Sequence, residues 1–404
     1  STTDTLYPGL YFFASGSGQY VEFVVYHENP FFEFETDQAD WMQHMKVKGS
    51  EENQCFYQFH KLSHQAQLAI PEPTTQDSIA YASYRRQLSL TMDSLKRDFI
   101  ARNPQRMISK MMLSTKEIEV PTIDSAGHLM DNRSRWEYYV RHCFDNMPLD
   151  DDFLVRTPQA VFYQRMDNYV NQSLMGVPPE IICPLLDSLL DRTRASRQNF
   201  HWLLHWLTEH YLQSNIMVYD AVYVHLIQRY YATGAAWWMT PSGIETEVDR
   251  ASRWDRILVG KEAPELILFD TLHVPHSLHQ MPNKYKLLIF WSPSCGHCQT
   301  AIPELYNKYK TLSQRYDIGA YAILSEPDAA TKEKWRHFIS EKGLQKWLHL
   351  DGGEANVDWH DVYDITSTPQ IYLLDEKNII IAKKLSAETF EQVMQAIGNQ
   401  QQSE

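Results

Sequence analysis

In the first stretch of the chain, apolar and polar positions alternate with a period of two over residues 10–14, 19–26 and 31–36. Val21, Phe23 and Val25 share one side, a pattern that predicts short strands. Pro8-Gly9, Gly16-Ser17-Gly18 and Asn29-Pro30 separate these runs and suit the turns that strand ends need. Residues 1–50 therefore read as a small β module. At Ser50 the period lengthens. Ser50 can cap a first turn carrying Glu51 and Glu52, and Phe56, Phe59 and Leu62 recur at helical spacing. Helical patterning then runs to residue 255, with Asn103-Pro104, Thr157-Pro158 and Pro178-Pro179 each placing Pro near a first helical position. The clearest helix covers 199–213, where Phe200, Leu203, Leu204, Leu207 and Tyr211 form one apolar stripe. No fixed-period repeat interrupts this region, so residues 51–255 read as an all-α middle domain rather than a solenoid. Strands separated by single helices follow Gly260, at 286–291, 318–324, 348–350, 371–374 and 379–383. That alternation predicts an α/β domain with a parallel component over residues 256–404. The whole is a multidomain α+β chain.

Composition narrows the picture. A length of 404 residues favours two or three domains at about 150 residues each. The strongest apolar run, 287–291, is far short of the roughly 18 residues needed to cross a bilayer. With 37 basic and 51 acidic residues the net charge is -14, which repels a phosphate backbone and argues against nucleic acid as a partner. The chain opens on Ser with no charged-then-apolar leader, as expected of a mature chain whose export signal has been removed.

Five cysteines are too few for a disulfide scaffold. Cys55, Cys143 and Cys183 stand alone and read as small buried side chains, whereas Cys295 and Cys298 form a pair. The order around the pair is strand, Cys295-Gly296-His297-Cys298, then a helix on which Ile302, Leu305 and Tyr309 share a face. A thiol at a helix N-terminus meets unpaired N–H groups and the positive end of the helix dipole, both of which favour thiolate. Cys295 should be the acidic, attacking thiol, and the spacing brings Cys298 within disulfide reach to resolve a mixed disulfide. With no second C-x-x-C in the chain, a four-cysteine zinc site is not supported, and no metal is expected. His201, His205 and Glu209 fall on one helical face, but Trp202 stands where a metalloprotease places its Glu, so this line reads as an ordinary polar face. The adjacent Trp237 and Trp238 point to different sides of their segment and read as core and packing surface.

Phe290-Trp291-Ser292-Pro293-Ser294-Cys295-Gly296-His297-Cys298, with Pro303 five residues on, resembles the TlpA-like thiol:disulfide oxidoreductases of thioredoxin fold. Gly260-Lys261-Glu262-Ala263-Pro264 resembles that family's lead-in, and Ser367-Thr368-Pro369 its cis-proline loop. The resemblance covers about 256–399. It implies a thioredoxin-like domain, a cis Thr368-Pro369 bond facing the dithiol, and a substrate path along Trp291, Pro293, Thr368 and Pro369. It also implies a redox-active disulfide in place of a cofactor, substrate proteins with thiols or disulfides as partners, and an external thiol electron donor or acceptor. The upstream segments resemble uncharacterised domains of envelope lipoproteins of Gram-negative bacteria, implying a periplasmic or envelope location and a lipid anchor outside this chain. Some positions depart from the family pattern. Ile289 and Ala301 stand where relatives carry the acids that accept the second thiol's proton, and Ser294 where many carry Trp.

A peroxidase on the same fold would need Pro where Leu288 stands, which disfavours it. An envelope partner-binding or ligand-binding role for the upstream domains remains the alternative from another class. Gly296 and His297 lie between the sulfurs and should tune the redox poise. A protonated imidazole on the first helical turn adds to the dipole in favouring thiolate, which makes the disulfide more oxidising.

Overall fold

The computed structural model describes residues 6–14, 20–27, 31–37, 40–73, 78–158 and 161–401. The turn residues Gly16-Ser17-Gly18 and Asn29-Pro30 lie outside them. The chain forms two compact units, Ser1–Trp206 and Leu207–Glu404.

The first unit opens with two antiparallel strand pairs, β1 (Gly9–Ala14) with β2 (Tyr20–Val25) and β3 (Glu33–Glu35) with β4 (Lys46–Lys48). The fourth strand is too short to show a period in the sequence. Helices α1 (Glu51–Leu68), α2 (Ser78–Arg102), α3 (Met107–Ser114), α4 (Asn132–His142), α5 (Tyr163–Asn168) and α6 (Pro179–Arg192) follow, and α7 (Arg197–Leu212) runs across the border between the units. Ser50 caps α1 as its sequence suggests, its hydroxyl accepting from the Asn53 N–H at 3.0 Å. Asn53 in turn exchanges hydrogen bonds with the backbone of Val24, tying the helix to β2. Pro179 occupies the first turn of α6, whereas Pro104 lies in the turn before α3 rather than in a helix. The Phe200–Tyr211 stripe of α7 is buried throughout.

The second unit holds α8 (Asp220–Leu226), α9 (Pro241–Arg256) and a seven-stranded sheet. Its strands are β5 (Ile267–Asp270), β6 (Pro275–Ser277), β7 (Tyr285–Trp291), β8 (Ile318–Leu324), β9 (Leu348–Ala355), β10 (Gln370–Leu374) and β11 (Ile380–Lys383), in the order β11-β10-β7-β8-β9-β5-β6. Strands β7, β8 and β9 are parallel and the outer ones antiparallel. Helices α10 (Gly296–Leu312), α11 (Ala329–Lys342), α12 (Trp359–Val362) and α13 (Ala387–Gln401) connect or follow them. Strands β5 and β6 are absent from the sequence reading because their apolar runs are too short and too exposed to stand out.

Every residue of β7 is buried, and its two faces meet different cores. Leu287, Ile289 and Trp291 pack with Ile302 and Leu305 of α10 and Phe390 of α13. Leu288 and Phe290 pack with Trp359, Tyr363 and Tyr372. A strand covered on both faces reads as a continuous apolar run, which is why 286–291 stands out in the sequence.

Helices α8 and α9, which the helical pattern groups with the upstream region, fall in the same compact unit as the sheet. Ile257 at the end of α9 packs in the apolar core of the sheet, and part of the contact is polar. Lys383 of β11 and Asp220 of α8 form an ion pair with only 3% and 4% of each side chain exposed. Arg253 and Trp254 of α9 donate to the two oxygens of Asp364 at 2.8 and 2.6 Å. Breaking a buried pair leaves an uncompensated charge. Lys383→Met should therefore lower stability by about 3–5 kcal/mol in urea unfolding, and adding Asp220→Leu should recover most of the loss. A single variant as stable as the parent would show that the pair contributes nothing to this packing.

Candidate active site

The site begins where β7 ends. Strand β7 runs into the turn 292–295, and Cys295 is the N-cap of α10, in extended conformation, with its sulfur accepting from the Cys298 N–H at 3.4 Å. Ser292 holds this turn together. Its carbonyl accepts from the Cys295 N–H at 3.2 Å, and its hydroxyl accepts from the Ser294 N–H at 3.2 Å and donates to Glu326 at 2.6 Å. Its backbone also hydrogen-bonds the Cys298 sulfur. Glu326 does not announce itself in the sequence, because it arrives from the loop after β8.

Across the turn, the Thr368-Pro369 bond is cis. The carbonyl of Thr368 lies 3.2 Å from Cys295 Sγ. The Thr368 side chain also lowers the pKa of both thiols.

The two thiols differ sharply. Burial pushes the Cys295 thiol up, but hydrogen bonds from Thr368, Cys298 and the backbone of His297 outweigh it and leave the group below its ordinary value. Cys298 is fully buried, and desolvation pushes its thiol up to about 12. Gly296 and His297 are exposed on the first turn, and a Cβ added at Gly296 would meet nothing within 4 Å.

The substrate path expected along Trp291 and Pro293 does not coincide with exposed side chains here. Trp291 is fully buried with its ring against Phe338, 5.4 Å between centroids, and Pro293 is buried as well. Trp291 lies in the helix-covered core that also holds Cys298, with Cys295 packed against it. Thr368 and Pro369 are partly exposed beside Cys295.

Elsewhere, Cys55 and Cys143 are buried and Cys183 is partly so. The rings of His201 and His205 lie 6.3 Å apart. Among the described residues no group of three or more His, Cys, Asp or Glu side chains is arranged to hold a metal, and no helix is long and apolar enough to cross a membrane.

A thioredoxin-type sheet with an acidic cysteine capping the helix after its central strand, opposite a cis-proline, defines a class of dithiol protein. Comparison with known proteins agrees. Residues 259–383 match the AhpC/TSA family, and residues 82–245 match a domain of unknown function, DUF5106. The thiol-disulfide oxidoreductase ResA of Bacillus thuringiensis (strain Al Hakam) is 25% identical over 142 residues, which span 34% of this chain and 76% of that protein. The thioredoxin-like protein YneN of Bacillus subtilis (strain 168) is 26% identical over 121 residues, 30% of this chain and 68% of that one. A solved thioredoxin-like protein from Bacteroides caccae ATCC 43185 shares the fold, with a TM-score of 0.55 at 19% identity over 70% of this chain and 99% of its own. Residues 259–383 thus form an AhpC/TSA thioredoxin-like domain similar to thiol-disulfide oxidoreductases.

The difference between the thiols has a direct readout. In the reduced protein, iodoacetamide should label Cys295 with a pH midpoint below the ordinary thiol value of about 8.5, while Cys298 stays unlabelled in the folded state. Labelling of Cys298 first would contradict the assignment of the two thiols.

Proposed function

We propose that the chain carries out thiol–disulfide exchange on exported proteins, with Cys295 as nucleophile and Cys298 as the resolving thiol. The observation that carries this reading is the Cys295 sulfur, partly exposed, held below its ordinary pKa and 3.2 Å from the Thr368 carbonyl. In the reducing direction the Cys295 thiolate attacks one sulfur of a substrate disulfide, forming a mixed disulfide and releasing a substrate thiolate. Cys298 then loses its proton and attacks Cys295, forming the Cys295–Cys298 disulfide and releasing the second substrate thiolate. An external thiol donor returns two electrons to regenerate the dithiol. The reverse sequence oxidises a substrate. An envelope location, with any lipid anchor outside this chain, is part of the same proposal and is supported by the likeness of the dithiol segment to envelope oxidoreductases.

The purified chain should reduce insulin disulfides with a thiol donor, and Cys295→Ser should abolish this. Activity surviving that change would reject the reading. Cys298→Ala should instead accumulate mixed disulfides in whole cells, since the second step is lost.

The exposed His297 sets a further expectation. Thioredoxin and protein disulfide isomerase potentials differ by roughly 90 mV, and Gly-His between the sulfurs is the isomerase-type pair. His297→Pro should make the protein more reducing in glutathione equilibration. An unchanged or more oxidising potential would remove His297 from the account.

A further inference from the structure

We propose that a cavity beside the cis-proline loop receives one side chain of the substrate peptide, an uncharged hydrogen-bond donor of the Asn or Gln kind. This rests on the exchange reaction proposed above and names its substrate class. The cavity is about 160 Å³ and is lined by Asp220, Trp254, Thr366, Gln370, Tyr372 and Lys383, among others.

Position comes first. Thr366 and Gln370 lie two residues on either side of Thr368, whose carbonyl is the contact to Cys295 Sγ. Two residues of extended chain span at most about 7 Å. A peptide held on Cys295 and lying along Thr368 therefore brings a residue a few positions from its cysteine to the cavity mouth. The mouth is open, since Thr366 and Lys384 are exposed, whereas Asp220 and Lys383 at the floor are buried.

The floor carries one unmet demand. Asp220 Oδ2 pairs with Lys383, and Lys383 also donates to the Ile257 carbonyl at 2.9 Å. Both oxygens of Asp364 are occupied by Arg253 and Trp254. Asp220 Oδ1 is buried and makes no hydrogen bond of normal geometry among the described residues; the backbone donor that faces its carboxyl is the Ala221 N–H. The ion pair accounts for Oδ2 and for the packing of α8 on the sheet, but it leaves Oδ1 unexplained. A buried carboxylate oxygen without a hydrogen bond of normal geometry is a group that a bound donor satisfies.

Charge selects the donor. The lining carries two carboxylates, Asp220 and Asp364, and two ammonium groups, Lys383 and Lys384, so a cationic side chain gains no net attraction there. An acidic side chain would meet Asp220 Oδ1 as a like charge. A neutral amide offers an N–H to Oδ1, and the rings of Trp254 and Tyr372 flank its methylene stem.

The test uses the full chain and synthetic peptides with one cysteine capped as a mixed disulfide with 2-nitro-5-thiobenzoate. The peptides vary at each position within four residues of the cysteine, through Gln, Ala, Lys and Glu. At one position Gln should exceed Ala in kcat/KM by about tenfold or more, the size of one hydrogen bond to a charged acceptor, with Lys and Glu below Gln. Thr366→Trp, which fills the mouth from an exposed position, should bring its own Gln-to-Ala ratio to about one. A flat panel in the parent, a preference for Lys or Glu, or a Gln preference that survives Thr366→Trp would overturn the inference while leaving the exchange reaction standing. No reaction with any peptide would reject the exchange reading and the inference with it.

Discussion

The catalytic half of the molecule depends on a strand that has no solvent face. Strand β7 is buried along its whole length, with α10 and α13 against one side and α12 against the other. A strand held in that way cannot slip in register without driving its residues into the wrong core. Its end point is therefore fixed, and with it the turn that aims the Cys295 sulfur at the N-terminus of α10. The hydrogen bonds of Ser292 complete the turn without any apolar contribution of their own.

From that placement the division between the two sulfurs follows. Cys295 stands at the helix end with backbone donors and Thr368 around it, where charge on sulfur is tolerated. One turn further in, Cys298 is shut away from water and strongly disfavours charge. In the proposed exchange Cys295 attacks, and the second step waits on removal of a proton from the buried Cys298 thiol. The acids that relatives use for that removal are Ile289 and Ala301 here. Thr368 and the Ser292 backbone are the polar groups that lower the pKa of Cys298 against its burial.

Part of the packing of α8 and α9 on the sheet uses a different physics from the strand core. Asp220, Lys383, Arg253 and Asp364 are buried or half-buried polar groups paired in specific geometry. Such pairs contribute little net energy compared with an apolar contact, but they punish misplacement severely. They also put carboxylates and ammonium groups next to the cis-proline loop, where an all-apolar seam would have left only a smooth wall.

The sequence by itself determined the elements with strong local signals. The run at 286–291, the Ser50 cap, the stripe from Phe200 to Tyr211 and the Cys295–Cys298 pair before a helix are all written in side-chain type and spacing, because burial on a face or at a cap demands particular residues at a fixed period. Family likeness added Thr368-Pro369, whose partnership with a cysteine 73 positions away no periodicity reveals. What only the tertiary structure decided depends on contacts between segments far apart in the chain. Trp291 looks like a substrate neighbour by proximity to Cys295, yet strand alternation turns it into the core. Glu326 reaches Ser292 from another loop, and Asp220 reaches Lys383 from a helix that patterning alone assigns elsewhere. A charged residue carries no period that says whether it faces water or a partner, and so its role is settled only when the fold closes around it.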